Sequence, residues 1–527
     1  MNDSKERLYF TTKLAFGAGD FGPAIAANLL IFFLLFFFTN VAGIPAGLAG
    51  MILAIGKIYD AINDPVIGIL SDRTTSRWGR RLPWILGGAI PFGVMFFFHW
   101  IVPDFDKIMQ LFWYYVVIAL LFNTFYTVVN LPYGALTPDL TRDYNERTSL
   151  NSFRMSFSLG GGIFSLILAG LIFQQYPDDP QQQYSALGLI CGIISIIAIL
   201  WCGLRVPERA KRPILNQQQK KIVGIGVIIL GIGAIAVGLI TQQPRLIMLI
   251  IGIVTLELTL FGVTMIFAPL ESHLRLENNP LHTTEASLSF AQQVKTVLEN
   301  RPFLYVIGIY LFSWLSVQLT GSILIYFVVS WMGLPSADFP RVALEVQGTA
   351  LLMLFVWKQV SDRYGKKMVY YLGVSIWIIA QSGLWLIQPE QYNLLYILAI
   401  LAGCGVSVAS LVPWSMLPDV IELDELRTGK RREGIYYSFM VLTQKVCLAL
   451  ALFLVGVMLE LAGFIEQTPG GDIPIQPPSA LLAIRIVVSI LPAIFLVCGL
   501  ILARFYPITR DFHNQIRLQL QEKNRIL

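Results

Sequence analysis

Long apolar runs separated by short polar loops are the dominant pattern of this 527-residue chain. A helix needs roughly 20 apolar residues to cross the hydrocarbon core of a bilayer. Runs of about this length cover residues 13–39, 47–70, 83–102, 108–137, 151–174, 184–204, 221–240, 246–270, 303–331, 342–358, 368–388, 394–416, 436–464 and 480–505. The pattern therefore predicts an all-α polytopic membrane protein with about 14 membrane-spanning helices.

Composition supports a membrane protein and excludes several other classes. Hydrophobic residues make up 55% and charged residues 13% of the chain, and the mean hydropathy is +0.66, far from globular values. The five cysteines all lie within apolar runs without paired spacing, so we expect small core residues, not a disulfide framework or metal site. The charged N-terminus lacks a small-residue cleavage site, which predicts that the first run is a retained helix.

Lysine and arginine gather in alternate loops. The basic loops are 71–81, 205–221, 361–367 and 427–432, whereas the intervening loops 241–245, 388–393 and 465–480 carry little positive charge. Because short cytoplasmic loops are enriched in these residues, both termini are predicted to be cytoplasmic, in a cell membrane of the bacterial inner type. This asymmetry also explains the net charge of +5, so the expected partners are the bilayer and a small solute, not nucleic acid.

Two motifs occur twice, at matching places in the chain. SDRTTSRWGRR follows the second run and SDRYGKK the tenth, while NLPYGALTPDL ends the fourth run and LVPWSMLPDVI the twelfth. Many transporters consist of two similar halves around a central site. The repeat predicts six-helix bundles over 1–213 and 303–527, an inserted transmembrane helix pair over 214–270, and a cytoplasmic linker with a surface helix over 271–302.

The spacing D-R-x-x-x-R-x-G-R-R resembles the loop signature of the major facilitator superfamily. Together, YDAINDPVIG, SRWGRRLPWIL, NLPYGALTPDLTRDYNERTSL and WSMLPDVIELDE resemble the glycoside–pentoside–hexuronide:cation symporters, which are the melibiose-permease-like branch. The resemblance implies the major facilitator fold and cation-coupled transport by alternating access. The same pattern extends to animal lysophospholipid symporters, so it predicts cation coupling better than it predicts the solute.

YDAINDPVIG places two acids and an amide in the second apolar run. Asp60, Asn63 and Asp64 have helical i, i+3, i+4 spacing and share one face. A charge at the bilayer centre costs at least ~2.5–3.5 kcal/mol, and a hard cation bound by oxygen ligands would compensate two carboxylates. One alternative is a structural ion pair. Another is an intramembrane Mg²⁺-dependent prenyltransferase, which needs a second Asp-rich motif. The acidic segment 418–425 is a candidate, but its Pro-Asp start repeats the Pro-Asp of TPDL at 137–140, so it fits the repeat of the two halves better.

Further site residues follow from the resemblance. It implies a sodium site at Asp60, Asn63, Asp64 and Thr127, with Lys445 as the charge partner, while H⁺ and Li⁺ stay open as coupling ions. We expect no other cofactor and no enzymatic activity. The oligomeric state is not predicted by any motif, and a monomer is the expectation.

The solute site is predicted less completely. Of the family's sugar-binding residues only the arginine, Arg154, is matched, because the acidic positions fall on Ala24 and Asn130 and the tryptophan position on Gly134. Asp20 lies one helical turn before Ala24. The candidates are Asp20, Tyr126, Asn130, Arg154 and Trp414, although ordinary interhelical contacts explain the uncharged ones equally well. A sugar or glycoside is the first choice of solute and a lysolipid-like amphiphile the second.

The repeated basic loops are predicted to act as a gate. By resemblance they latch helix ends through charge pairs and helix-terminus dipoles. The residues concerned are Asp72, Arg73, Arg77, Gly79 and Arg80 in the first half, and Asp362, Arg363 and Gly365 in the second. Positive-inside charge alone would explain the arginines but not the repeated spacing.

Overall fold

A computed structural model describes most of the chain. The described residues are 8–76, 78–141, 144–206, 217–240, 252, 254–261, 263, 295, 297–429, 432–467, 474–508 and 510–526. Ten helices within them are long and apolar enough to cross a membrane, and Leu82–Phe98 is a shorter apolar helix.

Within the described residues, helices form where the apolar runs predict them, and most of the predicted run 246–270 lies outside those residues. In chain order they are α1 (Phe10–Asn40), α2 (Ala46–Arg73), α3 (Leu82–Phe98), α4 (Ile108–Gly134), α5 (Leu136–Leu140), α6 (Tyr144–Gln175), α7 (Pro180–Arg205), α8 (Gln217–Ile240), α9 (254–261), α10 (Arg301–Tyr326), α11 (Phe339–Tyr364), α12 (Lys366–Leu386), α13 (Tyr392–Thr428), α14 (Glu433–Leu461), α15 (Pro478–Arg485), α16 (Leu491–Phe505) and α17 (Arg510–Ile526). Single π-helical turns at Phe327–Trp331 and Ile486–Ile490 extend α10 and join α15 to α16.

Two helices differ from the sequence prediction. The predicted span 394–416 is part of α13, which continues to Thr428 through Pro413 and Pro418. Helix α17 was not predicted, because its sequence is polar and the search for apolar runs cannot detect it. Most of the linker 271–302, with its predicted surface helix, lies outside the described residues.

The chain divides into two compact units. Unit 1 contains the described residues within Met1–Ile44 and Tyr59–Asn279, and unit 2 those within Pro45–Ile58, Pro280–Gln467 and Ile473–Leu527. The boundaries predicted at 213, 270 and 302 stay predictions.

Unit 1 packs α1 against α6 and α7, and α3 against α4 and α7. Small residues permit these close approaches, as they commonly do between membrane helices. A Cβ built on Gly93 of α3 would lie 2.7 Å from the carbonyl oxygen of Gly192 on α7. The inserted helices join the same unit, since Thr255 of α9 donates to the carbonyl of Gly231 on α8 at 3.0 Å and Phe261 stacks on Trp201 of α7.

Unit 2 packs α13 against α11 and α12, and α10 against α14 and α16. Its core contains the fully buried rings of Tyr310, Tyr370 and Trp377. The first turns of α2 also belong to this unit, where a Cβ on Gly456 of α14 would lie 2.8 Å from the Cα of Gly50.

The α3–α7 crossing provides a test of this packing. We expect Gly93→Leu to destabilise the protein by about 1–3 kcal/mol or more, because the added side chain must displace the backbone of α7. Gly87 lies on the same helix with no atom within 4 Å of its ideal Cβ, so Gly87→Leu is the matched control. Thermal unfolding in detergent checks this, and equal melting temperatures for the two variants would contradict the crossing.

Candidate functional site

Two carboxylates converge on one hydroxyl in unit 1. The Thr127 Oγ1 atom on α4 lies 3.0 Å from Asp60 Oδ1 and 2.9 Å from Asp64 Oδ1 on α2. Asp60 is only 2% exposed and Thr127 is equally buried. The helical spacing of the acids thus produces the shared face that the sequence predicts, and α4 supplies an oxygen to both.

This geometry favours a positive charge between the oxygens. A threonine hydroxyl has one hydrogen and can donate it to only one carboxylate at a time. Both carboxylates lie near the same oxygen, so their negative charges repel each other unless a proton or cation is shared. The described residues contain no group of three or more His, Cys, Asp or Glu side chains suited to a metal ion. Two carboxylates and a hydroxyl form an oxygen-rich group of the kind that hard cations bind.

Neighbouring polar contacts hold α2 and α4 in register. The Tyr59 hydroxyl lies 3.0 Å from Thr124 Oγ1, one turn of α4 before Thr127. Pro65 follows Asp64 directly and cannot donate to the carbonyl of Ala61, so the ladder of α2 is interrupted beside the acids. The Tyr59–Thr124 contact therefore holds the acids near α4, and Pro65 removes one helical hydrogen bond beside them.

Two amide atoms on the helices that carry this cluster are buried without a hydrogen-bond partner among the described residues. They are Nδ2 of Asn63 and Oδ1 of Asn130. Asn63 lies three residues after Asp60, and Asn130 lies three residues after Thr127, so each shares a helix face with the carboxylate–hydroxyl cluster. Unsatisfied buried amides are unfavourable, and a ligand with hydroxyl groups would satisfy both the donor and the acceptor.

The two charged residues predicted for the solute site form a pair. Arg154 Nε on α6 lies 3.3 Å from Asp20 Oδ2 on α1, and the guanidinium lies over the Tyr133 ring at 5.4 Å from its centroid. Asp20 is 7% exposed. The predicted candidate Tyr126 packs its ring against Phe92 and Phe122.

Gly134 leaves space beside this pair. An ideal Cβ on Gly134 would lie 3.7 Å from Nη1 of Arg154. This is the position where the related symporters have tryptophan, so the guanidinium here is not covered by that ring.

Trp414 and Lys445, predicted for the solute and cation sites, lie on different helices of unit 2. Trp414 of α13 makes an edge contact with Tyr310 at 5.9 Å and a tilted contact with Tyr437 at 6.1 Å. Lys445 lies near the middle of α14 and is partly buried. Its pairing with Asp60 or Asp64 stays a prediction, as does solute contact by Trp414.

The first basic loop ties α2 to α3. Asp72 Oδ1 lies 3.4 Å from Arg81 Nη2, and Gly79 has φ +111°, a backbone conformation that favours glycine. Arg73 is the last residue of α2 and is exposed, whereas Arg80 is half-buried. Arg77 lies outside the described residues, and Arg81 was missed as the partner of Asp72, although it is the second arginine of GRR.

The second basic loop also contains a glycine with positive φ, but it lacks a counterpart of the Asp72–Arg81 pair among the described residues. Gly365 has φ +85° between α11 and α12, whereas Asp362 and Arg363 are exposed. The buried charge pair forms one residue further on, where Lys366 Nζ lies 2.7 Å from Asp419 and donates to the carbonyl of Ser415 at 2.7 Å. Both partners lie within the repeated motifs, but neither was predicted.

Comparison with known proteins gives consistent matches along the chain. A family model described as MFS/sugar transport protein matches residues 15–226 and 217–510. The uncharacterized symporter sll1374 of Synechocystis sp. is 56% identical, with 99% of this chain and 98% of that relative covered. Sodium-dependent lysophosphatidylcholine symporter 1 of Xenopus tropicalis is 27% identical, with 99% of this chain and 92% of that protein covered.

Solved structures share the fold at low sequence identity. A proton-dependent oligopeptide transporter superposes with a TM-score of 0.58 at 12% identity, covering 96% of this chain and 99% of that one. The xylose transporter XylE from E. coli, in an inward-open conformation, gives 0.51 at 13% identity over 95% and 96% of the two chains.

The fold and the relatives define an integral, multi-pass secondary transporter. The chain belongs to the MFS/sugar transport protein family. The predicted all-α major facilitator fold and the resemblance to the melibiose-permease-like symporters are therefore confirmed.

The shared hydroxyl provides a test of the candidate cation site. We expect Thr127→Val to weaken cation binding about tenfold, since it removes one oxygen between the carboxylates while keeping the shape of the side chain. Thr124→Val, which removes a hydroxyl one turn away, is the matched control and is expected to bind cations normally. Calorimetric titration of both purified variants with NaCl measures this. Equal affinities would show that the Thr127 oxygen does not contribute.

Proposed function

We propose that the protein is a Na⁺-coupled symporter that carries a sugar or glycoside by alternating access. The convergence of Asp60 and Asp64 on the Thr127 hydroxyl is the observation on which the proposal rests. Na⁺ bound there would neutralise part of the carboxylate charge and would be bound by Thr127 Oγ1 and the carboxylate oxygens, with the Asn63 carbonyl as a further ligand. H⁺ or Li⁺ could take the same place.

Coupling follows from the position of the buried amides. Asn63 belongs to the proposed cation site, while its Nδ2 atom is available to a solute. An ion that fixes the Asn63 carbonyl would also orient this donor, so the cation would increase the affinity for the solute. Because binding free energies are reciprocal, the solute must increase the affinity for the cation by the same factor.

The unsatisfied amide atoms of Asn63 and Asn130 support a hydroxyl-bearing solute. A hydroxyl both donates and accepts, which matches the unsatisfied donor of Asn63 and acceptor of Asn130. Arg154 can bind further hydroxyl oxygens, and its pairing with Asp20 reduces the net charge presented to the solute. Melibiose itself is disfavoured, because two carboxylates of the related galactoside site fall on Ala24 and Asn130.

A lysophospholipid-like amphiphile is the second candidate. It is favoured by the 27% identical relative whose name specifies lysophosphatidylcholine, and by Arg154, whose guanidinium lies beside Gly134, a position without a side chain. Guanidinium groups bind phosphate well.

An intramembrane enzyme is a poorer alternative. A prenyltransferase would need free carboxylates in the second acidic segment to bind Mg²⁺-diphosphate. There, Asp419 is paired with Lys366, and Asp424 lies 2.7 Å from Arg432 Nη2. These contacts support a non-enzymatic transporter. We further propose an inner-membrane location with cytoplasmic termini, and a monomer as the working unit.

The cation site is tested by thermal stability in detergent, titrated with NaCl against choline chloride. A ligand that binds only the folded state stabilises it, by about 2.7 kcal/mol at a concentration 100 times its Kd. We expect the wild type and Asp104→Asn, a change at an exposed loop residue, to gain stability in Na⁺, and Asp64→Asn to gain none. A full Na⁺ response in Asp64→Asn would refute the site. A wild type that responds to pH but not to Na⁺ would identify a proton site.

The solute is tested by counterflow in proteoliposomes with and without Na⁺. We expect Na⁺-dependent exchange with a member of a glycoside and pentoside panel, and none with lysophosphatidylcholine. Asn130→Leu is expected to reduce exchange without changing the Na⁺ response in detergent, because it removes the unsatisfied amide acceptor that we assign to the solute. Exchange of lysophosphatidyl lipids alone would favour the second candidate and overturn the first.

A further inference from the structure

A histidine on the C-terminal helix is held between two acids of unit 2. The Nε2 atom of His513 on α17 lies 2.9 Å from Glu422 Oε2 and 3.3 Å from Asp419 Oδ1, both on α13. Ile516 of α17 is 1% exposed, so an apolar contact accompanies the polar one. Helix α17 is thus docked to α13 by one charged and one apolar side chain on the same face.

Helix α17 contacts α13 next to a proline that interrupts its hydrogen bonding. Asp419 follows Pro418, which cannot donate a helical hydrogen bond, and Pro413 lies a little more than one turn earlier. Helices bend at such positions. A partner bound to Asp419 and Glu422 therefore restrains the segment of α13 that follows its proline break.

The charges around His513 make its protonation decisive. The contacting charged groups are Asp419 and Glu422 from α13 and Lys366 from α12, which is bound to Asp419. With a neutral imidazole this cluster has one excess negative charge, and with an imidazolium it is balanced. Lys367 donates to the carbonyls of Arg504 and Tyr506, Asp362 of α11 is exposed, and neither compensates the acids directly.

Water can reach the imidazole. A cavity of about 750 Å³ lies beside the cluster, lined in part by Asp362, Lys367, His513 and Asn514. Histidine is the side chain whose charge normally changes between pH 5 and 8. A proton from solvent can therefore enter and leave at this site without unfolding of the helix bundle.

We propose that His513 is a proton-operated clamp, which holds α17 against α13 more tightly when it is protonated than when it is neutral. Protonation balances the charge of this cluster, so the clamp weakens as the pH rises. This regulation is additional to the proposed symport and does not depend on the solute or on the coupling ion.

Hydrogen exchange of the full-length protein in detergent tests the clamp. Exchange of peptides from 510–526 is measured at pH 6 and pH 8 and divided by the intrinsic chemical rate at each pH. We expect protection in the wild type to fall about threefold from pH 6 to pH 8, the size typical of one partly exposed ion pair. His513→Gln should show low protection at both pH values, and His513→Arg, with a fixed charge, high protection at both.

His282→Gln is the matched control, because it removes another imidazole from a distant part of the sequence, and it should behave as the wild type does. Protection in the wild type that is equal at pH 6 and pH 8 would overturn the proposal, as would an unchanged pH response in His513→Arg. The arginine variant keeps the test decisive if the glutamine variant does not fold.

Discussion

The placement of two carboxylates on one face of an apolar helix is the constraint on which the rest of this structure depends. Each charge placed in the hydrocarbon costs at least ~2.5–3.5 kcal/mol, so α2 can cross the bilayer only if another element brings compensation to the same depth. Helix α4 contributes one hydrogen-bond donor, the Thr127 hydroxyl, to this compensation, and the neighbouring Tyr59–Thr124 contact fixes the relative position of the two helices. The position of α4 in turn constrains other helices of unit 1. Helix α4 packs against α3, and α3 packs against α7 through Gly93 and Gly192.

Sequence periodicity could predict the acids but not their partners. Asp60, Asn63 and Asp64 share a face by helical spacing alone, so their proximity follows from local geometry. Thr127 is 63 residues beyond Asp64 and was found only through resemblance to a family. Asp20 and Arg154 were both predicted as candidates, yet their pairing depends on how α1 packs against α6. Interhelical packing depends on many weak contacts between apolar and small side chains, and these leave no periodic signal in one sequence.

The repeated loops show how far internal symmetry extends. Gly79 and Gly365 both adopt positive φ values, which glycine permits, although Gly79 lies in a loop and Gly365 directly joins two helices. The charge pairs, however, differ between the halves. Asp72 pairs with Arg81 within the first loop, whereas Lys366 pairs with Asp419 across to α13, where His513 also binds. The charge pairs of the second half thus involve α13 and α17, and not the loop alone. Because α17 is polar, the apolar pattern gave no indication of it.

The cation site and the solute site are subject to different physical limits. In the first, a change to either carboxylate leaves the other buried in an altered charge balance, so the two acids and the shared hydroxyl form one coupled unit. In the second, neutral groups such as Asn130 and the bare Gly134 can replace charged or aromatic ones without leaving a buried charge unbalanced. Removing an uncharged hydrogen-bonding group changes free energy by about 1–3 kcal/mol, far less than stranding an ion. We therefore expect the family pattern to specify ion coupling more closely than the solute, which would depend on a few neutral side chains.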